Sequence, residues 1–144
     1  MLVNKFKEYC ADLGWAFNYG NLKWQNLQDL EMEGAEPSDL TNFLLLYKDR
    51  IKAFTDFNVV ASETFSGEFI LCRRSEISEK DYNWKYSERI SKLEADADLL
   101  QALISDCDNL FVEGWQESEV SDILDTNMDG IKIAFRIRHE LLTK

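Results

Sequence analysis

The sequence predicts an α+β fold: a mixed, mainly antiparallel sheet of about five strands, with a short N-terminal helix and one long helix packed on a face. Three observations support this prediction. Apolar side chains repeat at helical spacing over residues 79–108, alternate with small or basic ones over residues 131–138, and form shorter β-rich runs between residues 15 and 73. The predicted element order is α-β-β-β-α-β-β, in one domain spanning residues 1–144.

The first two elements come from a change of period at Gly14. Apolar side chains recur at helical spacing over residues 2–13, and Gly14 is placed to end that helix. Residues 15–19 then alternate between aromatic and smaller side chains, which is the period of a strand. Residues 21–40 contain the only proline and several acids, and we predict a long, irregular loop there.

Short strands are predicted next. Residues 43–47 are an apolar run of strand length. Residues 57–65 and 68–73 are β-rich, and Gly67 between them is a bulge or a bend within one long strand. No crossover helix is predicted between these early strands. Because parallel strands need a connection of about a dozen residues or more, antiparallel pairing is expected among them.

The long helix over residues 79–108 is the clearest element. Its apolar positions are spaced 4, 3, 4, 3, 4 and 3 residues apart, and Leu99 and Leu103 widen the stripe. A stripe of about three heptads is short for a coiled coil, so packing across the sheet is favoured. The stripe consists of Tyr86, Ile90, Leu93, Ala97, Leu100, Ile104 and Cys107.

A β-hairpin is predicted to close the chain. Residues 111–115 and 120–124 are strand-like, and they precede the alternating strand described above. Residues 125–130 match the opening of a calcium-binding loop, but the twelfth position is Arg136 instead of the glutamate that completes the coordination sphere. We therefore predict a β-turn at residues 127–130 and no metal site.

The acids of the chain are concentrated in one stretch. The net charge is −11, and residues 94–131 carry eleven acids and no Lys or Arg, while the rest of the chain has 16 bases and 16 acids. This stretch is either a solubilising face or an anionic surface that repels nucleic acid or pairs with a basic partner. The basic footprint that binding to DNA or to an anionic membrane requires is missing. The eleven acids are Glu94, Asp96, Asp98, Asp106, Asp108, Glu113, Glu117, Glu119, Asp122, Asp125 and Asp129.

No catalytic, cofactor-binding or metal-binding residue is predicted. His139 is the only histidine, and at the end of a terminal strand we expect it to be solvent-exposed or a cap. Cys10, Cys72 and Cys107 lack metal-ligand and redox-motif spacing, so we expect small buried residues in a reducing cytoplasm. Nucleophile-elbow and Walker motifs are absent, so we do not expect an enzyme. Neither a signal peptide nor a membrane span is predicted.

Two further groups of side chains are candidates for interactions. Arg73, Arg74, Arg136 and Arg138 are interpreted either as ordinary surface charge or as a basic patch that pairs with acids of another copy of the chain. The four tryptophans are enriched relative to the length of the chain. We expect them to pack in or near the core, since Trp is highly buried on average although seldom completely.

Three segments resemble a known family. These are residues 66–75 (SGEFILCRRS), residues 81–86 (DYNWKY) with the helix that follows, and residues 127–133 (NMDGIKI). They resemble the tail terminator and tail-to-head joining proteins of long-tailed bacteriophages, of the type found in phages and prophages of Bacteroidetes. The predicted order of helices and strands is similar to theirs as well.

The resemblance implies a non-enzymatic assembly protein, made in the host cytoplasm and built into the virion. Such proteins cap a finished tail tube, commonly as hexameric rings, so the expected partners are copies of the chain and other tail or connector proteins. Genomic DNA passes through the ring without sequence-specific binding, and carboxylates lining the lumen would repel its phosphates. The alternative hypothesis is a small acidic adaptor or DNA-mimic inhibitor that covers a basic site on another protein. An enzyme with an unrecognised site is the third.

Overall fold

The computed structural model describes residues 2–19, 41–74, 90–123 and 128–142, which form two helices and one five-stranded sheet. Within these residues, no helix is long and apolar enough to cross a membrane. The elements are α1 (Leu2–Leu13), β1 (Ala16–Tyr19), β2 (Asn42–Phe54), β3 (Val60–Arg74), α2 (Ser91–Ser105), β4 (Leu110–Ile123) and β5 (Met128–Glu140). The strands follow the order β1-β2-β3-β5-β4 across the sheet, and the predicted α+β class is confirmed.

Both helices pack on one face of the sheet, which we call the helix side. On that face, Phe6 of α1 lies over Phe43, Phe69 and Phe135, with ring centroids 5.0, 5.6 and 5.6 Å away. Phe43 and Phe69 stack on neighbouring strands, with centroids 4.4 Å apart. Such aromatic pairs contribute about 0.5–1.5 kcal/mol each beyond the burial of their area. They fix α1 across the middle of the sheet.

The predicted apolar stripe is confirmed along α2. Five of its six described positions are at most 3% exposed and share one core with the sheet, as expected for a helix that packs across a sheet, and the sixth, Cys107, is half-buried against that core. Leu99 is 46% exposed, so its predicted place in the stripe is wrong. The helix ends at Ser105, before the predicted end at residue 108, and residues 79–89 lie outside the described residues. The buried stripe positions are Ile90, Leu93, Ala97, Leu100 and Ile104.

β1 and β2 are parallel, which corrects the expectation of antiparallel pairing among the early strands. Ala16 lies opposite Asn42, and Tyr19 lies opposite Leu45. A parallel pair needs a connection of about a dozen residues or more, and the segment between these two strands is long enough to provide one. The predicted loop at residues 21–40 lies outside the described residues. All other neighbouring strands are antiparallel.

The hairpin of β2 and β3 is much longer than the sequence predicts. β2 continues beyond the predicted end at Tyr47 to Phe54. The sequence does not predict this second half as strand, because it is charged and lacks the continuous apolar run of the first half. β3 runs without interruption from Val60 to Arg74, so the interpretation as one long strand is confirmed. The hairpin therefore extends past the short strand β1, which covers only the first residues of β2.

The bulge nearest to Gly67 lies in β2 and not at Gly67 itself, where the sequence predicts a bulge or a bend, and a second register shift lies between Ala53 and Phe54 near the hairpin tip. Residues 45–47 of β2 lie opposite residues 68–69 of β3, so Leu46 is the extra residue. Gly67 keeps a regular register between Lys48 of β2 and its neighbour on β5. The glycine therefore disrupts neither of the two ladders in which it takes part.

The second hairpin consists of β4 and β5. The predicted alternation of β5 is confirmed, since Ile131, Ile133, Phe135 and Ile137 are all buried on the helix side. The two short strands predicted before it form the single strand β4, which carries a register shift between residues 112 and 114. A bulge at this point breaks the period of the apolar residues, and the sequence therefore predicts two separate strands.

The turn between β4 and β5 differs from the prediction in position. Residues 128–130, predicted as part of the turn, are the first residues of β5, so the prediction is wrong for these three. Residues 124–127 lie outside the described residues, and so does the first part of the calcium-like motif. Arg136, at the twelfth position of that motif, lies in β5 with an exposed side chain.

Gly14 and the cysteines behave largely as predicted. Gly14 has a φ of 75°, the left-handed conformation in which helices commonly end. Cys10 and Cys72 are buried, which confirms the prediction for these two, while Cys107 is half-buried. Burial raises the pKa of Cys10 and of Cys72 to about 12. Because the thiolate is the reactive form, both thiols are inert at neutral pH.

The stripe of α2 gives a direct test of the core. Leu100→Ala and Ile104→Ala are each expected to lower the free energy of unfolding by about 2–5 kcal/mol, because each leaves a cavity between helix and sheet. Leu99→Ala is the matched control on the same helix and should change it by less than about 0.5 kcal/mol. Denaturant titration measures all three. Equal effects at Leu99 and Leu100 would contradict the assignment of the buried face.

Candidate interaction surfaces

Asp96, one of the eleven acids, is paired inside the chain. Its Oδ2 accepts a hydrogen bond of 2.6 Å from Thr41 Oγ1 and lies 3.1 Å from Arg73 Nη2. Arg73 Nε also donates to Thr41 Oγ1 at 2.9 Å. The three part-buried groups tie the middle of α2 to the end of β3 and to the residue before β2. This explains a helix-disfavouring aspartate in mid-helix, and it means that Arg73 is neutralised within the chain.

The face of the sheet opposite the helices carries Arg136 and Arg138. Glu113 Oε1 lies 3.5 Å from Arg136 Nε, and its Oε2 lies 3.2 Å from Arg138 Nε. Arg138 also contacts the carboxylate of Glu140 and lies over the ring of Phe111, 4.6 Å from its centroid. Three of the four arginines that were candidates for pairing between copies, Arg73, Arg136 and Arg138, are thus paired within one copy, and the side chain of Arg74 lies outside what the structure describes. This arrangement agrees with the interpretation of these arginines as ordinary surface charge.

Three other acids lie together on the helix side. Glu94, in the first turn of α2, is close to Glu117 and Glu119 of β4. Its pKa is raised, mainly by desolvation and then by the negative charges of Glu119 and Glu117. Trp115 Nε1 donates to Glu117 Oε2 at 2.9 Å, which holds that carboxylate at the edge of the indole. The sequence places all three acids in one run, but only the crossing of helix and strand brings them into contact.

The tip of the β2–β3 hairpin is an apolar surface that sequence reasoning missed. Phe57 is 88% exposed, and Ile51, Phe54 and Val59 are each more than half exposed. The sequence predicts a strand at residues 57–65, which would have placed Phe57 in a ladder. The signal that marks a turn instead is the run of residues 55–58 (TDFN), in which Thr, Asp and Asn favour turns.

Thr55 holds the tip in one conformation. Its N–H donates to the carbonyl of Val59, and its carbonyl accepts from the N–H of Asn58. Its Oγ1 accepts hydrogen bonds from the N–H groups of Phe57 and Val59, both at 3.2 Å. Asn58 has a φ of 61°, a left-handed conformation that asparagine tolerates. The apolar side chains therefore stand on an ordered turn.

Beside the base of this turn, the N–H groups of Leu141 and Leu142 donate to the carbonyl of Ala61, and both leucine side chains are exposed.

His139 is less accessible than the sequence predicts. Its side chain is 14% exposed, and its Nδ1 lies 3.7 Å from Glu63 Oε2, too far for a hydrogen bond. The expectation of a solvent-exposed histidine is therefore wrong: His139 lies between Glu63 of β3 and Leu110 of β4 in the sheet, not at a free strand end. In the described part of the chain, no three His, Cys, Asp or Glu side chains are arranged to hold a metal ion.

The comparisons with known proteins leave the family resemblance untested. Neither the protein-family models nor the curated proteins that were searched match this sequence. The likeness to phage tail completion proteins therefore remains a prediction from residues 66–75, 81–86 and 127–133. What the structure offers in addition is the geometry of the carboxylates and of the hairpin tip.

The Asp96 network predicts a stability cost that depends on position. Asp96→Ala is expected to lower the free energy of unfolding by about 1.5–3 kcal/mol, the usual value for hydrogen bonds to charged groups, and it also leaves Arg73 unpaired. Asp98→Ala, on the exposed side of the same helix, is the control and should cost less than about 0.5 kcal/mol. Thermal and denaturant melts of both variants decide whether the network stabilises the fold.

The carboxylates on the helix side predict an unusual dependence of stability on pH. The pKa of Glu94 in the folded chain lies above its ordinary value of 4.5, so its charged form opposes folding and stability rises as the pH falls through the folded pKa. Glu94→Gln should therefore raise the melting temperature at pH 7, and the gain should shrink as the pH approaches 4.5.

Glu113→Gln is the matched control for this prediction, since it removes a carboxylate that is paired with Arg136 and Arg138. It should leave the melting temperature at pH 7 unchanged or lower it slightly, as expected for an exposed ion pair. A lower melting temperature for Glu94→Gln at pH 7 would contradict the repulsion inferred among Glu94, Glu117 and Glu119.

Proposed function

We propose that the chain is a non-enzymatic assembly protein of a phage or prophage virion, which caps the tail tube or joins the tail to the head as a homo-oligomeric ring. Its partners are copies of itself and other tail or connector proteins, and it acts in the host cytoplasm before it becomes part of the virion. The observation that carries the proposal is the tip of the β2–β3 hairpin, where Phe57 is 88% exposed.

The hairpin tip has the properties of a protein-binding surface. Phe54, Phe57 and Val59 lie on one turn with more than half of each side chain exposed. Grouped apolar side chains in water contribute nothing to the folding of a single copy, and on soluble proteins such patches mark interaction sites. Because Thr55 already holds the turn through hydrogen bonds, little conformational freedom is lost when a partner covers it. A tail protein that must dock onto a tube or a connector needs a surface of this kind.

The carboxylates on the helix side support the same proposal. Desolvation, and then the negative charges of Glu119 and Glu117, raise the pKa of Glu94 and oppose its charged form. A group of like charges that lowers stability is consistent with a role outside the fold, such as repelling the phosphates of DNA that passes through a ring. Asp96 and Glu113 do not contribute to such a surface, since both are paired with arginines.

The proposal predicts the phenotype of a hairpin-tip variant. Phe57→Ser should leave the melting temperature within a few degrees of the parent, because the ring is exposed, but it should weaken docking onto the partner. In a prophage host that carries this gene, electron microscopy after induction should show separate heads and tails or tails of uncontrolled length. The yield of infectious particles should fall by about tenfold or more, the effect of losing about 1.4 kcal/mol of binding.

Leu99→Ser is the matched control for this experiment. It also replaces an exposed apolar side chain by serine, but on α2 and away from the hairpin tip. It should assemble like the parent. Normal particles after deletion of the whole gene would rule out a role in tail completion, whereas normal particles from Phe57→Ser alone would rule out the hairpin tip as the docking surface.

A second candidate function is an acidic adaptor or DNA-mimic inhibitor, which the grouping of Glu94, Glu117 and Glu119 favours. Such a protein would work as a monomer or dimer and would compete with DNA for a basic site on its target. Sedimentation analysis separates the two proposals. Concentration-dependent assembly supports the ring, whereas a monomer that displaces DNA from a nucleic-acid-binding protein supports the mimic.

A further inference from the structure

At each margin of the sheet, part of a strand has a neighbouring described strand on one side only. β1 pairs with β2 only along residues 42–45, and no other described strand lies along residues 47–54 of β2. On the opposite side of the sheet, β4 has β5 as its only described neighbour. Side chains are exposed in succession over residues 49–54 of β2 and 116–119 of β4. In the part of the chain that the structure describes, each segment therefore has one backbone edge without a neighbouring strand, and such edges are templates for pairing with another strand.

The uncovered segment of β2 is basic on the helix side. Lys48, Arg50 and Lys52 occupy alternate positions, so all three side chains lie on one face of the strand. The Nζ of Lys48 lies 5.2 Å from the centroid of the Phe65 ring, and Arg50 Nη1 lies 3.7 Å from Glu63 Oε1. Since Phe65 belongs to the core under the helices, this face is the helix side. We call these three residues the basic edge.

The corresponding segment of β4 is acidic on the same side. Glu117 and Glu119 lie opposite Ile133 and Ile131 of β5, both of which are buried on the helix side. The charge of Glu94 adds to theirs. We call Glu117 and Glu119 the acidic edge. Both edges thus carry their charges on the same face of the sheet, at its two opposite margins, with opposite sign.

We infer that copies of the chain associate edge to edge, with the basic edge of one copy paired to the acidic edge of the next so that the sheet continues from copy to copy. When helices stay on the same side, this pairing brings two acids and three bases into adjacent rows, at the spacing at which opposite cross-strand charges attract. The inference rests on the homo-oligomeric ring in the proposed function and names the surface that builds it.

The charges also select between the ways in which two edges can meet. Pairing two basic edges or two acidic edges opposes like charges and is unfavourable. Only the contact between unlike edges is attractive, and it is heterologous, because each copy uses a different surface toward each neighbour. Such a contact leaves one edge of each kind available at the ends of any open chain. A ring forms when the rotation between copies closes, as a tail cap requires.

The test uses one charge reversal at each edge of the full chain. Lys52→Glu and Glu117→Lys are each expected to raise the dissociation constant for self-association, measured by sedimentation at low salt, by about tenfold. An equimolar mixture of the two variants should assemble with nearly the affinity of the parent, because every contact in an alternating array then pairs unlike charges. Added salt should weaken assembly of the parent and of the mixture alike.

Lys132→Glu is the control, since it makes the same change of charge on the interior strand β5 and should leave association unchanged. Thermal melts of all variants report whether each is folded. If the parent assembles but neither reversal affects it, the edge contact is overturned while the ring stands. A parent that stays monomeric at its highest soluble concentration overturns the edge contact too, and the induction experiment with deletion of the gene then decides the role in tail completion separately.

Discussion

The aromatic layer between α1 and the sheet is the constraint on which the rest of the structure depends. Phe43, Phe69 and Phe135 lie on the same face of three strands, and Phe6 covers all of them. Each strand that passes through this layer has one side committed to the core. Charged side chains must then lie on the opposite face, or beyond the area that the helices cover. Arg136 and Arg138 occupy the first of these places, and the two charged edges occupy the second, while Arg73 on the helix side is neutralised by Asp96 of α2.

The eleven acids form no single surface, although they are contiguous in the sequence. Asp96 points from α2 to Arg73, and Glu113 lies against Arg136 and Arg138 on the face opposite the helices. Glu117, only four residues beyond Glu113, lies on the helix side. A local charge count cannot separate them, because the side of the sheet on which an acid lies depends on strand register, and the bulge after Val112 changes that register.

Periodicity predicted the parts of the fold that bury a regular face. The stripe of α2, the alternation of β5 and the end of α1 at Gly14 all follow from one side being apolar. Two features had no such signal. The second half of β2 is exposed on both faces, so nothing in its sequence distinguishes it from a charged loop. The parallel pairing of β1 with β2 depends on a long connection whose course cannot be derived from composition. The hairpin tip was predicted as strand because Phe57 and Val59 belong to the β-rich run of residues 57–65.

The bulge at Leu46 determines the electrostatic polarity of the hairpin. If Leu46 took a regular place in the ladder instead, the positions after it would exchange faces, since side chains alternate along a strand. Asp49 and Ile51 would then lie on the helix side, and Lys48, Arg50 and Lys52 would lie on the other. Deletion of Leu46 would not have this effect, because Tyr47 would follow Leu45 directly and keep its place opposite Glu68. The backbone geometry at one residue thus decides which surface of the hairpin is cationic, with composition and net charge unchanged.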